Sequence, residues 1–201
     1  MKVIGLCGGS GSGKGFVSKI FLEYGIPSID TDVVYRELTS QMTPCLRALV
    51  EEFGDDIVTA EGLLDRRRLS QLVFIGDGSE KRLQKLNEIS HKFILDETRK
   101  RLSEYEKAGF TAAIVDAPVL FESGFDKECD AIVAVLAKRE IRIARIIARD
   151  GISKETADLR INSQIDDDKL TTLCDYVITN NGDIDSLRIS VGKVAGLILE
   201  K

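Results

Sequence analysis

The stretch KVIGLCGGSGSGKGFVSKIF, residues 2–21, decides the fold. Lys2 to Cys7 is rich in apolar and β-branched residues, a glycine cluster breaks the run, and Phe16, Val17, Ile20 and Phe21 follow at helical spacing. The order is strand, tight loop, helix. Gly8 to Lys14 meets the phosphate-loop pattern of a glycine, four residues and Gly-Lys, in the strand-to-helix context that gives the pattern meaning. Gly9, Ser10, Gly11, Ser12 and Gly13 are small enough for backbone N–H groups to close around a phosphate. The helix start adds partial positive charge, and Lys14 reaches the β- and γ-phosphates.

The pattern then breaks. Gly15 occupies the position where Ser or Thr usually places a hydroxyl on Mg²⁺, and Phe16 follows it. Phosphate binding does not depend on that hydroxyl, and Mg²⁺ keeps several waters readily, so water in its place is physically reasonable.

Outward from this unit, further strands are predicted at Ile26–Ile29, Thr111–Val115, Ala131–Leu136 and Tyr176–Thr179. Most are continuous apolar runs without alternation, the mark of strands covered on both faces, and helical stretches separate them. The expected fold class is α/β, a doubly wound parallel sheet. Residues 33–108 are charged and helix-forming, with Leu83, Leu86, Ile94, Leu95 and Leu102 at amphipathic spacing, and read as a helical insertion. Residues 138–169 carry Arg139, Arg142, Arg145, Arg149 and Arg160 and read as an arginine-bearing lid. The core is then about 1–32, 109–137 and 170–201 of a single domain. Gly76 to Ser79 marks a turn between helices.

Asp30 and Asp32 follow the second predicted strand, at the carboxyl edge where open α/β sheets bind ligands. One carboxylate can orient or deprotonate a hydroxyl and the other can steady a metal or acceptor, while helix capping is an equally ordinary use of both. Asp116 ends another apolar strand, a position that commonly holds Mg²⁺ through water; ordering the following loop is the alternative. Arg142, Arg145 and Arg149 are three and four residues apart and share one helix face, suited either to clamping phosphates or to plain solvation. His91, the one histidine, sits among Ile89, Phe93 and Ile94, and its surroundings fit packing and substrate contact alike.

Acidic residues outnumber basic ones, 33 to 28, and the two are mixed along the chain, so no basic stretch follows a nucleic-acid backbone. The apolar run at the amino terminus stops at Gly8, too short for a signal-peptide core or a membrane span. A cytoplasmic protein with no nucleic-acid or membrane partner is expected. Cys7, Cys45, Cys129 and Cys174 are widely spaced along the sequence, as expected of small buried residues in a reducing compartment.

Taken in order, these pieces resemble the dephospho-coenzyme A kinase family over essentially the whole chain. The matching residues are Gly8 to Lys14, Asp30-Thr31-Asp32, Phe53-Gly54, Leu64-Asp65-Arg66, the His91 region, Pro118 to Gly124, Arg145 to Gly151, Gln164, and Asp175 to Gly182. Departures are Gly15, Phe16, Lys92 where the family usually has Pro, and Thr31 where it usually has Ala. The resemblance implies a P-loop kinase that transfers phosphoryl from ATP with Mg²⁺ to the ribose 3′-hydroxyl of dephospho-coenzyme A. By likeness, Asp32 is the base or orienter, with Asp30 beside it. Lys14 and the loop from Gly9 to Phe16 hold ATP, with Arg145 and Arg149 closing over its phosphates and Arg145 counted among the catalytic groups. Asn180 to Gly182 borders the adenine, Asp65, Arg66 and His91 line the acceptor side in the insertion, and Asp116 stands by the metal through water. Two other readings share these parts: a P-loop kinase for a nucleoside or nucleotide, and an ATP-binding regulatory protein with weakened catalysis. Monomer and homo-oligomer are both compatible with the sequence.

Overall fold

Continuous apolar runs become strands where a parallel sheet can be covered on both faces, and the sheet here has five strands. The computed structural model describes residues 1–200. In chain order the elements are β1 (Lys2–Cys7), α1 (Lys14–Glu23), β2 (Ser28–Asp30), α2 (Thr31–Leu38), α3 (Pro44–Phe53), α4 (Arg66–Phe74) and α5 (Ser79–Lys107). They continue with β3 (Ala112–Asp116), β4 (Ala131–Leu136), α6 (Arg139–Asp150), α7 (Lys154–Asn162), α8 (Asp167–Leu173), β5 (Tyr176–Thr179) and α9 (Ile184–Glu200). They fall into two units, Met1–Asp30 with the chain from Leu102 onward, and Thr31–Arg101, so that α5 belongs to both.

The first unit holds the sheet, ordered β2-β3-β1-β4-β5 with every pair parallel. This is the expected α/β class, an all-parallel sheet. Ile4 and Leu6 of β1, Ile114 of β3, and Val133 and Val135 of β4 pack on one face against Val17, Ile20 and Phe21 of α1 and Leu187, Val191 and Ile198 of α9. Every residue of β3 is buried, which is why its sequence shows no alternation. Beyond β4, Ile143 and Ile146 of α6 meet Ala157 and Ile161 of α7 in a small core of their own. The Ser153 hydroxyl starts α7 by accepting from the Thr156 N–H.

The second unit is built around Cys45, Leu46, Leu49, Ile57, Leu64, Leu69 and Val73, with Leu83, Leu86, Ile89 and Phe93 of α5 packed on them. Its helices begin where the sequence supplies caps. Thr43 precedes Pro44 and accepts from the Leu46 N–H, and Asp65 accepts from the Arg68 N–H.

The boundaries on either side of β2 differ from the sequence expectation. Ile26 is fully buried, and its amide bonds back to the Phe21 carbonyl, so this apolar residue seals the corner after α1 instead of joining the ladder. Pro27 has no N–H to give, and β2 begins at Ser28. Helix α2 starts at Thr31, not Val33, which puts Asp32 in its first turn. Among the described residues, no helix is long and apolar enough to cross a membrane.

Candidate active site

Strand β1 delivers the chain to the carboxyl edge of the sheet, where the loop from Gly8 to Gly13 turns into α1. Gly13 precedes the helix with φ +94°, a left-handed conformation costly for any residue with a Cβ, and a Cβ there would lie 2.2 Å from Asn180 Nδ2. Among the described residues, no protein acceptor takes the amides of Gly13, Lys14 and Gly15. Those N–H groups and the dipole of α1 make an anion cradle. Lys14 stands at the same place: its Nζ donates to the Gly8 carbonyl at 2.9 Å and lies 3.9 Å from Asp116 Oδ1. The Ser12 hydroxyl is buried in the loop with no protein partner.

Two arginines of α6 hold the loop through its carbonyls. Arg145 Nη1 donates to the carbonyls of Gly11, Ser12 and Asn180, and its Nη2 to Asn180 Oδ1, while Asn180 Nδ2 donates to the Ser12 carbonyl at 2.8 Å. Arg142, only 4% exposed, donates from Nε to the Ser10 carbonyl and from Nη2 to Gln164 Oε1, and pairs through Nη1 with Asp167. That approach explains the loop's second glycine, since a Cβ on Gly9 would lie 2.0 Å from Arg142 Nη2. Arg149 is divided between a long bond to Ser10 Oγ, at 3.4 Å, and two bonds to Asp150.

Those bonds from Arg149, with Arg160 on the other side, hold the Asp150 carboxyl down to about 2. A depressed carboxyl contributes fully above its unfolded value and loses that contribution as pH falls through the folded one, so this lock dissolves only between about pH 4 and 2. NMR titration of Asp150 should give a midpoint near 2 with no inflection between about pH 5 and 9. A midpoint at the ordinary ~3.9 would remove the lock.

The carboxylates come from adjacent strands. In the parallel register Asp116 of β3 faces Leu6 of β1 on one side and Asp30 of β2 on the other, so Asp30 and Asp116 share a sheet face at the carboxyl edge. Asp116 is buried at 8% exposure; Asp30 is exposed. Asp32 is exposed in the first turn of α2, where a negative charge is favoured by the helix dipole. Asp116 with Lys14 at its side is a suitable outer partner for a hydrated cation. Among the described residues no three carboxylate, histidine or cysteine side chains gather into a metal cage. An ion that takes its oxygen ligands from phosphates and water is the kind this site fits.

Gly15 and Phe16 are exposed on the first turn of α1. Gly182 is exposed after β5 with φ +112°. In the second unit Asp65 is the cap of α4, Arg66 donates to Thr39 Oγ1 and lies over the Tyr35 ring, and His91 is half-buried on α5.

Sequence reasoning missed two arrangements. Arg142 faces inward, a fact signalled only by its place one turn before the buried Ile146. Cys7 and Cys174, distant in sequence, bring their sulfurs to 3.4 Å where β1 ends and α8 hands over to β5. Nothing in the spacing of the two cysteines gives this away.

Comparison with known proteins adds the following. The family model described as dephospho-CoA kinase matches residues 2–186. A dephospho-CoA kinase of Corynebacterium efficiens is 36% identical over 98% of this chain and 98% of its own. Among solved structures, TT1252 of Thermus thermophilus superposes with a TM-score of 0.80 at 26% identity, covering 98% of this chain and 97% of the other. A dephospho-CoA kinase from Campylobacter jejuni, 24% identical and covering 100% and 98%, shares the fold with a TM-score of 0.72.

Proposed function

We infer that this chain, which belongs to the dephospho-CoA kinase family, moves the γ-phosphoryl group of ATP onto the ribose 3′-hydroxyl of dephospho-coenzyme A, giving coenzyme A and ADP. The observation that carries the chemistry is the cradle itself: three amides without protein acceptors at the start of α1, beside the Lys14 ammonium and the Asp116 carboxylate. Such fixed donors stabilise charge that spreads over phosphoryl oxygens during transfer without reorganising to do so.

In this reading the loop from Gly9 to Gly15 binds the β-phosphate, and Lys14 turns from Gly8 toward the γ-phosphate. Asp32 accepts or orients the 3′-hydroxyl proton, with Asp30 beside it. Arg145 and Arg149 secure the phosphates from a lid over about 138–169, and Asn180 to Gly182 borders the base. The insertion over about 33–108, with Asp65, Arg66 and His91, takes the acceptor. The cap made by Asp65 and the contacts of Arg66 support a role for these two in shaping that part. Mg²⁺ bound with ATP would supply positive charge to the phosphoryl groups, and Asp116 would hold it through water. The protein works in the cytoplasm.

A coupled ADP-release assay across dephospho-coenzyme A, adenosine monophosphate and nucleosides tests the acceptor. Preference for dephospho-coenzyme A is expected, and faster turnover of another acceptor would overturn it. The missing loop hydroxyl gives a second test. A Cβ at Gly15 meets nothing within 4 Å, so Gly15→Ser fits and gains up to ~0.5 kcal/mol in helix propensity. The Mg²⁺ concentration for half-maximal rate is expected to fall severalfold in that variant. An unchanged value would show that water serves as well as the hydroxyl.

A further inference from the structure

Ser10 is the one residue of the phosphate loop whose peptide groups are both taken by side chains from beyond β4. Its carbonyl accepts from Arg142 Nε at 3.0 Å, and its N–H donates to Gln164 Oε1 at 2.9 Å. The same Gln164 oxygen accepts from Arg142 Nη2 at 2.9 Å, so the two side chains and the Ser10 peptide form one closed network. Asp167, at 3.1 Å from Arg142 Nη1, compensates the buried charge. This network leaves the cradle open: the Ser10 amide is committed to Gln164 while the amides of Gly13, Lys14 and Gly15 are not committed to protein.

We propose that Arg142 is a positioning residue that, with Gln164, fixes the Ser10 peptide before nucleotide arrives, so that the loop binds ATP already in its phosphate-holding shape. Arg142 touches no reacting atom in this account. It acts through the loop, in two ways. Its bonds set which way the Ser10 peptide faces, and its guanidinium and backbone fill the space beside Gly9 and Gly11, where a Cβ would come within 2.0 Å of Nη2 and 2.6 Å of the Arg142 carbonyl. A loop held this way has less conformational freedom to lose on binding, and that saving appears in affinity, not in the chemical step.

The effect on ATP rests on the function proposed above; the effect on the loop does not, and the experiment reads both. Arg142→Met keeps an unbranched apolar stem and removes the guanidinium with its donors. Gln164 is exposed, so Gln164→Met tests the same network with little demand on folding. The first readout is hydrogen exchange at the Ser10 amide in nucleotide-free protein, where both variants should lose about tenfold of the protection, the scale of one hydrogen bond. The second is steady-state kinetics, where KM for ATP should rise about tenfold while kcat at saturating ATP changes less than about threefold. A merely structural Arg142 would lower melting temperature without splitting KM from kcat, and Arg142→Lys, which retains one donor, should recover part of the loss. Unchanged exchange at Ser10 in the folded Gln164→Met protein would overturn the proposal. Lost protection without any change in KM would overturn the link to ATP. Wild-type protein that protects Ser10 yet binds no ATP would overturn the functional reading and leave the positioning of the loop standing.

Discussion

Lys14→Ala is expected to bring ADP release with dephospho-coenzyme A down to assay background, a loss of at least ~10²–10³-fold, the scale on which removal of one preorganised donor acts in a transition state. The side chain is well placed for that effect. Its ammonium is mostly buried, held by the Gly8 carbonyl at 2.9 Å and facing Asp116 at 3.9 Å, so the charge sits in a site where water screens it weakly. The substitution also takes the positive charge away from beside a buried carboxylate, which disfavours a polyanionic ligand there even before chemistry. Circular dichroism should show the fold intact, because Lys14 begins α1 and contributes nothing to the apolar face formed by Val17, Ile20 and Phe21. Turnover above about a tenth of the unsubstituted rate would mean that the loop lysine is not the γ-phosphate's partner.

Asp32→Asn should lower kcat by more than ~100-fold, the scale of a lost general base or orienting group, while leaving KM for ATP within about threefold. The amide is isosteric with the carboxylate and remains in the first turn of α2, where loss of the negative charge beside the helix dipole costs about 0.3–1 kcal/mol. A fall in melting temperature without a fall in kcat would assign Asp32 to stabilising the start of α2 alone. Asp30→Asn makes the informative comparison. Asp30 lies in register with Asp116 at the edge of the sheet, so its loss should alter Mg²⁺ dependence more than the pH dependence of kcat.

The sheet was legible because its strands are continuous apolar runs: β1, β4 and β5 fall where the sequence puts them, and β3 is displaced by one residue toward Asp116. Boundaries failed where an apolar residue did other work, as Ile26 does in sealing a corner. The nucleotide side of the site was legible because a phosphate loop is contiguous, with its glycines, lysine and helix start adjacent in sequence. Its support was not. Arg142 and Gln164 converge on Ser10 and Asn180 on Ser12 from beyond residue 140, with Asp167 paired to Arg142, and three arginines on one helix face look alike in sequence. Only packing distinguishes Arg142, turned inward over the loop, from Arg149, turned toward Asp150. The contact between Cys7 and Cys174 was beyond reach for the same reason.

The central position of β1 bears on how the chain assembles as it is made. β1 is synthesised first, yet both of its ladder neighbours, β3 and β4, lie more than 100 residues downstream. Closing such long loops carries an entropic penalty before any contact rewards it, which slows nucleation relative to chains with mostly local pairing. An emerging chain therefore carries an apolar segment with unmatched edges until β4 has cleared the ribosome. The phosphate loop gains its last brace only when Asn180 follows, so the ability to bind nucleotide is among the latest properties the growing polypeptide acquires.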